Sequence, residues 1–129
     1  MNSLFDRIFQ TGAAVWLCPF RPFFLLTAAH GALAMAAWIA FLSGLLPLPD
    51  VAGGAVVWHA HEMLVGAFGA ALLGFLTTAV PEWTDTEPPR GRPLWALAGL
   101  WGVGRSVGLR GWDGMGAVGA IADLAWMLV

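Results

Sequence analysis

The chain has 129 residues, enough for one domain, of which 59% are hydrophobic and 11% charged, with a formal net charge of −2. A soluble domain is about 25% charged, so the composition argues against that class and for a polytopic all-α membrane protein with the lipid bilayer as its partner. The small net charge, carried on the basic side by six scattered arginines and no lysine, excludes a nucleic-acid or polyanion partner.

The N-terminal stretch "MNSLFDRIFQTGAAVWLCPFRPFF" does not read as a signal peptide. Asp6, Arg7, Arg21 and two prolines break its apolar part, and no small-residue cleavage site follows. Cys18 is the only cysteine, so no intrachain disulfide can form, and it reads as inert. A spanning helix needs about 20 mostly apolar residues. The first such segment is 22–46, where Pro22 is tolerated at a helix start because its missing N–H has no partner there. "PLPD" closes it.

The second span is 57–80, with Pro81 expected to stop it and 81–93 expected to be a loop. The third, 93–109, is weak because Arg105 falls inside it; either the helix is short and tilted or Arg105 snorkels from its far end. The last segment, 115–129, is apolar, contains Asp123 and is too short to span, so it reads as a truncated fourth helix. The whole of 1–129 is then a single membrane domain, the N-terminal part of a longer multi-span protein. Arginine counts place Arg7, Arg21, Arg90 and Arg92 on one side and Arg105 and Arg110 on the other, which predicts a cytoplasmic N-terminus. Trp16, Trp38, Trp58, Trp83 and Trp112 lie near the predicted ends, where interfacial belts form.

The stretch "VVWHAHEMLVG", residues 56–66, puts His59, His61 and Glu62 at the head of the second span. Ionisable residues inside a membrane mark functional sites. At about 100° per residue, the His59 face carries Glu62, Met63, Gly66, Ala70, Leu73, Gly74 and Thr77. It is small and polar, and is expected to meet protein rather than lipid. The opposite face carries His61, Leu64, Val65, Phe68, Leu72 and Phe75. His61 is then about 200° from His59, too far round for one ion on a regular helix. Either the pair is extended and chelates one metal together, or the two serve different sites. His30, in the first span, counts as about 12 Å deep from one face, which separates it from the pair by on the order of 12–15 Å. Met63 reads as packing. The segment "GVGRSVG" lacks the context of a phosphate loop, no hydrolase triad can be assembled, and no zinc spacing occurs.

Three segments carry a family resemblance: "CPFRPFFLL" at 18–26, "WHAHEMLVGAFGAALLGFLTTAVPEWT" at 58–84 and "RGRPLWALAGLWGVGR" at 90–105. Together they resemble the NnrS family, bacterial haem- and copper-containing membrane proteins linked to nitric oxide metabolism and nitrosative stress. The resemblance covers most of the chain and implies the bacterial inner membrane, haem and copper as cofactors, and nitric oxide as a small-molecule ligand. Glu82 stands where the family motif has Asn. The resemblance implies His59 and His61 as metal ligands, with His30 a third cofactor-binding residue; neutral imidazole suits both metals. Glu62 is expected as the acceptor that orients a ligating histidine or serves another helix. Catalysis is not implied. Two other classes stay open: a metal-free transporter or proton relay using His30, His59, His61 and Glu62, and an assembly subunit packing through its small-residue ladders.

Overall fold

The computed structural model describes residues 14–48, 53–108 and 116–128. Asp6, Arg7, Arg110 and Trp112, which entered the reading of orientation and interfaces, lie outside these residues. The described residues form helices and no strand, as the composition predicts. They make four helices: α1 (Phe20–Leu42), α2 (Gly54–Thr84), α3 (Arg92–Gly108) and α4 (Gly116–Met127). Helices α1 and α2 are long and apolar enough to cross a bilayer; α3, with 17 residues, and α4, with 12, are shorter.

Helix α1 starts two residues before Pro22, which therefore sits in the first turn, where an N–H has no intrahelical partner. Its far end is a Schellman motif. Gly44 takes φ +70°, Gly44 N donates to Phe41 O at 2.9 Å, and Leu45 N donates to Ala40 O at 2.9 Å. Consecutive left-handed glycines, Gly53 (φ 93°) and Gly54 (φ 77°), open α2.

Pro81 does not stop α2, which runs on to Thr84. A proline removes one N–H and crowds one carbonyl, a local loss that helices in an apolar setting tolerate. The carbonyl that loses its donor here is that of Thr77; the helix is bonded on both sides of it, with the Thr77 hydroxyl donating to Leu73 O at 2.6 Å, the Thr78 hydroxyl to Gly74 O at 2.8 Å, and Thr86 N to Pro81 O at 2.9 Å. The helix ends at Asp85, the one described non-glycine residue with positive φ (54°).

Helix α2 is not uniform. Glu62–Phe68 is π-helical, with α-helix on both sides. A π segment shifts each bond to i→i+5; such segments are rare and frequently lie at functional sites. Side chains from two other helices meet it: Thr27 Oγ1 of α1 donates to Ala67 O at 3.1 Å, and Trp101 Nε1 of α3 donates to Gly66 O at 2.9 Å. The wider turn adds Ala67 and Gly69 to the buried face that regular spacing predicts for Glu62, Gly66, Ala70, Leu73 and Gly74. The opposite face stays outward: Leu64, Phe68, Leu72 and Phe75 are exposed, as lipid-facing residues would be.

Small residues set the packing. Helices α1 and α2 run antiparallel, with Phe23 against Gly74, Thr27 against Ala67 and Trp38 against His59. A Cβ on Gly74 would lie 2.8 Å from Phe23 Cβ, and one on Gly69 would lie 2.6 Å from the Trp126 ring. Helices α3 and α4 pair with each other, and the core joins Phe23, Ala70 and Leu73 to Leu94, Leu97, Trp101 and Trp126.

Two glycines test this account in opposite directions. Gly74→Ala forces Phe23 to move and is expected to destabilise by about 1–3 kcal/mol, the usual range for overpacking. Gly99→Ala, on an exposed stretch of α3 with nothing within 4 Å of its new Cβ, is expected to stabilise by about 0.5–1 kcal/mol through helix propensity. Thermal unfolding of the detergent-purified chain reads both signs.

Candidate functional site

Glu62 opens the π segment and is fully buried, with 0% exposure. An isolated carboxylate in such a place would cost several kcal/mol, so its surroundings decide whether the fold is possible. Three side chains approach it. His30 Nε2 of α1 is 3.0 Å from Oε2, Arg105 Nη1 of α3 is 3.3 Å from Oε1, and His61 Nδ1 of the preceding turn is 3.2 Å from Oε1. The His30 contact is electrostatic: the two atoms are close but do not align as a hydrogen bond.

Arg105 carries the network onward. Its Nη2 makes an ion pair with Asp123 Oδ1 of α4. Asp123 in turn accepts from Trp126 Nε1 at 3.1 Å, and its Oδ2 is 3.2 Å from His61 Nε2. The result is a closed ring in which His61 and Arg105 both bridge Glu62 to Asp123. Arg105 is 3% exposed and lies within α3, so it does not snorkel outward; of the two expectations for this helix, the short one is what the structure shows, at 17 residues. A buried guanidinium is retained where carboxylates meet its fork of donors, and here there are two.

Glycine makes the room. A Cβ on Gly66 would lie 2.5 Å from His30 Nε2 and 2.9 Å from Arg105 Nη1, and one on Gly104 would collide with the Asp123 carboxylate. The ladder that sequence spacing assigns to helix contact therefore also seats the charges. His30 packs edge-on against Trp101, with ring centroids 5.3 Å apart.

The structure brings His30 and His61 to one carboxylate, which corrects the expected separation of His30 from His61; His59, stacked on Trp38 eight residues further along α1, stays apart from His30 as expected. Observed helix ends give the reason. His30 lies 12 residues before the end of α1, about 18 Å along the axis, while Glu62 lies 8 residues after the start of α2, about 12 Å along. The axial gap is about 6 Å, which the two side chains close.

His59 and His61, in contrast, are held apart. Both are helical, so the extended alternative does not occur. His59 faces α1, its ring stacked on Trp38 at 4.4 Å and 13°. Its Nδ1 is buried and, among the described residues, has no hydrogen-bond partner. His61 lies on the other side with its side chain 43% exposed and both ring nitrogens beside carboxylates. Of the tryptophans placed at interfaces by sequence, Trp58 is instead buried at 3% exposure, while Trp83 is exposed at 69%.

Arg105 and Asp123 are the site residues that sequence reasoning did not assign. The signal was present: two opposite charges, each inside an apolar helix, are expected to find each other.

Haem or copper needs a donor with a free lone pair. His59 fits, having a buried ring nitrogen without a partner. His61 fits poorly, with each nitrogen within 3.2 Å of a carboxylate oxygen. Among the described residues no group of three or more His, Cys, Asp and Glu side chains is arranged to hold a metal ion.

Fold and site together define a helical protein with two candidate membrane spans and a charge ring buried between its helices. The family model described as NnrS protein matches residues 14–129, and the chain belongs to that family. No curated protein and no solved structure matches it.

Removing one member of the ring exposes its cost. Arg105→Met leaves Glu62 and Asp123 without their guanidinium and is expected to destabilise by about 3–5 kcal/mol. Arg90→Met, in the exposed loop, is expected to stay within about 0.5 kcal/mol. Thermal unfolding of the two variants side by side checks the difference.

Proposed function

We propose that this chain is a multi-pass protein of the bacterial inner membrane, N-terminus cytoplasmic, that takes part in the response to nitric oxide with the help of haem and copper. Membership of the NnrS family supports the reading. The observation that carries it on this chain is the partnerless, buried Nδ1 of His59. Imidazole in an apolar place is costly unless each polar atom is satisfied, and a metal bond would satisfy this one. His59 would be the ligand from this segment. A haem held by this protein would supply an iron able to bind nitric oxide.

The chain's own residues supply position. Stacking on Trp38 fixes the plane of the His59 imidazole and ties it to the end of α1. Glu62 does not stand behind His59; its close partners are His30, His61 and Arg105.

A second reading draws on a different observation. His30, Glu62, His61 and Asp123 lie in a row with N···O distances of 3.0–3.2 Å, a set of ionisable groups from which a metal-free proton relay or transporter could be built if His30 realigned to hydrogen-bond Glu62.

An absorption spectrum separates the two. Detergent-purified protein from haem-replete cells is expected to show a Soret band that shifts on adding nitric oxide, with haem or copper content falling several-fold in His59→Ala. A flat visible spectrum from folded protein would overturn the haem reading and favour the relay, as would full metal content in His59→Ala for the ligand assignment.

A further inference from the structure

The charge ring and the His-x-His motif are joined in sequence but divided in space. We infer that Arg105 is the resident cation of the Glu62–Asp123 site, which makes the ring a metal-independent tie binding α2 to α3 and α4, and that the histidine pair is split between two duties: His61 and His30 serve the tie, and His59 alone is left for a ligand.

The argument starts from what a metal would need. Two carboxylates and two imidazoles gathered in one place form a donor set of the right chemistry for a divalent cation. In this structure the position between the carboxylates is taken by a guanidinium, with one terminal nitrogen on Glu62 and the other on Asp123. A metal ion there would meet Arg105 at close range in a low-dielectric setting, a strong repulsion. Nor can Arg105 easily withdraw. It is 3% exposed, Gly66 lies under one end of it, and α3 and α4 pack directly on each other.

The imidazoles point the same way. His61 places Nδ1 on Glu62 and Nε2 on Asp123, so its ring completes the link from α2 to α4 rather than opening toward a cofactor. His30 puts Nε2 3.0 Å from Glu62 and its ring edge against Trp101, so it joins α1 to the same carboxylate. All four helices therefore converge on two acidic side chains. His59, two residues from His61, stacks on Trp38 of α1 instead.

This tie also explains why the chain holds two opposite charges inside apolar helices. Apolar contact alone gives helices in lipid little preference for one partner over another. Matched charges do, because each wrong pairing leaves a buried ion alone. The tie stands independently of the haem and copper reading; only the assignment of ligand duty to His59 rests on it.

The test compares four forms of the full chain, purified in detergent from cells supplied with haem and copper: wild type, Arg105→Met, the triple variant Glu62→Gln/Arg105→Met/Asp123→Asn, and His59→Ala. Melting temperature is measured after metal stripping, and haem and copper content before it. Breaking one member of a buried ion network is costly, whereas neutralising the whole network is often tolerated. Arg105→Met is therefore expected to melt well below wild type and the triple variant to recover most of the loss, with metal content per folded molecule unchanged in the triple. His59→Ala is expected to do the reverse, losing metal and keeping the stripped melting temperature.

The tie is overturned if Arg105→Met melts with wild type, or if the triple variant fails to recover. The split of duties is overturned if the triple variant loses metal as His59→Ala does. If wild type itself carries neither haem nor copper, the proposed function fails while the two melting comparisons still decide the tie.

Discussion

The rest of this structure is arranged around one buried carboxylate. Glu62 has no contact with solvent and opens a π-helical segment in the middle of an otherwise apolar helix. Its charge has to be met from other helices, and it is met by His30 from α1 and Arg105 from α3, with Asp123 of α4 taking the other end of the guanidinium. Removing a charge from water is among the largest single costs in folding, so the helices that meet Glu62 have little freedom in how they approach. The relative placement of all four described helices follows from that.

Close approach then becomes a requirement, and glycine meets it. Gly66 lies beneath His30 and Arg105, Gly104 beside Asp123, Gly69 beneath the Trp126 ring and Gly74 against Phe23. The π segment belongs to the same logic. It widens α2 where Gly66 and Ala67 offer their carbonyls to Trp101 and Thr27, which pins α2 to α3 and α1 at one level. Electrostatics, small residues and an irregular backbone thus act in one layer, a few residues thick. Outside that layer, α1 and α2 present the exposed leucines, isoleucine and phenylalanines of a surface suited to lipid.

Much of the architecture was legible. Apolar segments marked the helices, and the ladder Gly66, Ala70, Gly74 marked the inner face of α2. The errors came from treating each segment alone. Pro81 was expected to end α2 because a proline removes a donor, but the loss of one bond does not stop a helix that is bonded on either side, and it runs on to Thr84. Arg105 looked like an interruption because its two partners sit on other helices. His30 looked remote because its depth was counted from approximate helix ends, and a few residues at 1.5 Å each are enough to turn contact into separation. The π turn left no mark in the spacing of the apolar residues, since small residues line that face throughout.

The sequence by itself determined the class: an apolar, helical chain with a few ionisable residues that must be accounted for, and the family to which it belongs. It determined which faces are small and which are bulky, because side-chain volume and hydrophobicity are properties of each residue and its helical period. Only the tertiary structure decided which charges meet. His59 and His61 are two residues apart, yet one stacks on a tryptophan of α1 and the other bridges two carboxylates on α2 and α4. Pairing of this kind depends on distances between helices, and those are set by packing over the whole bundle rather than by any local stretch of chain.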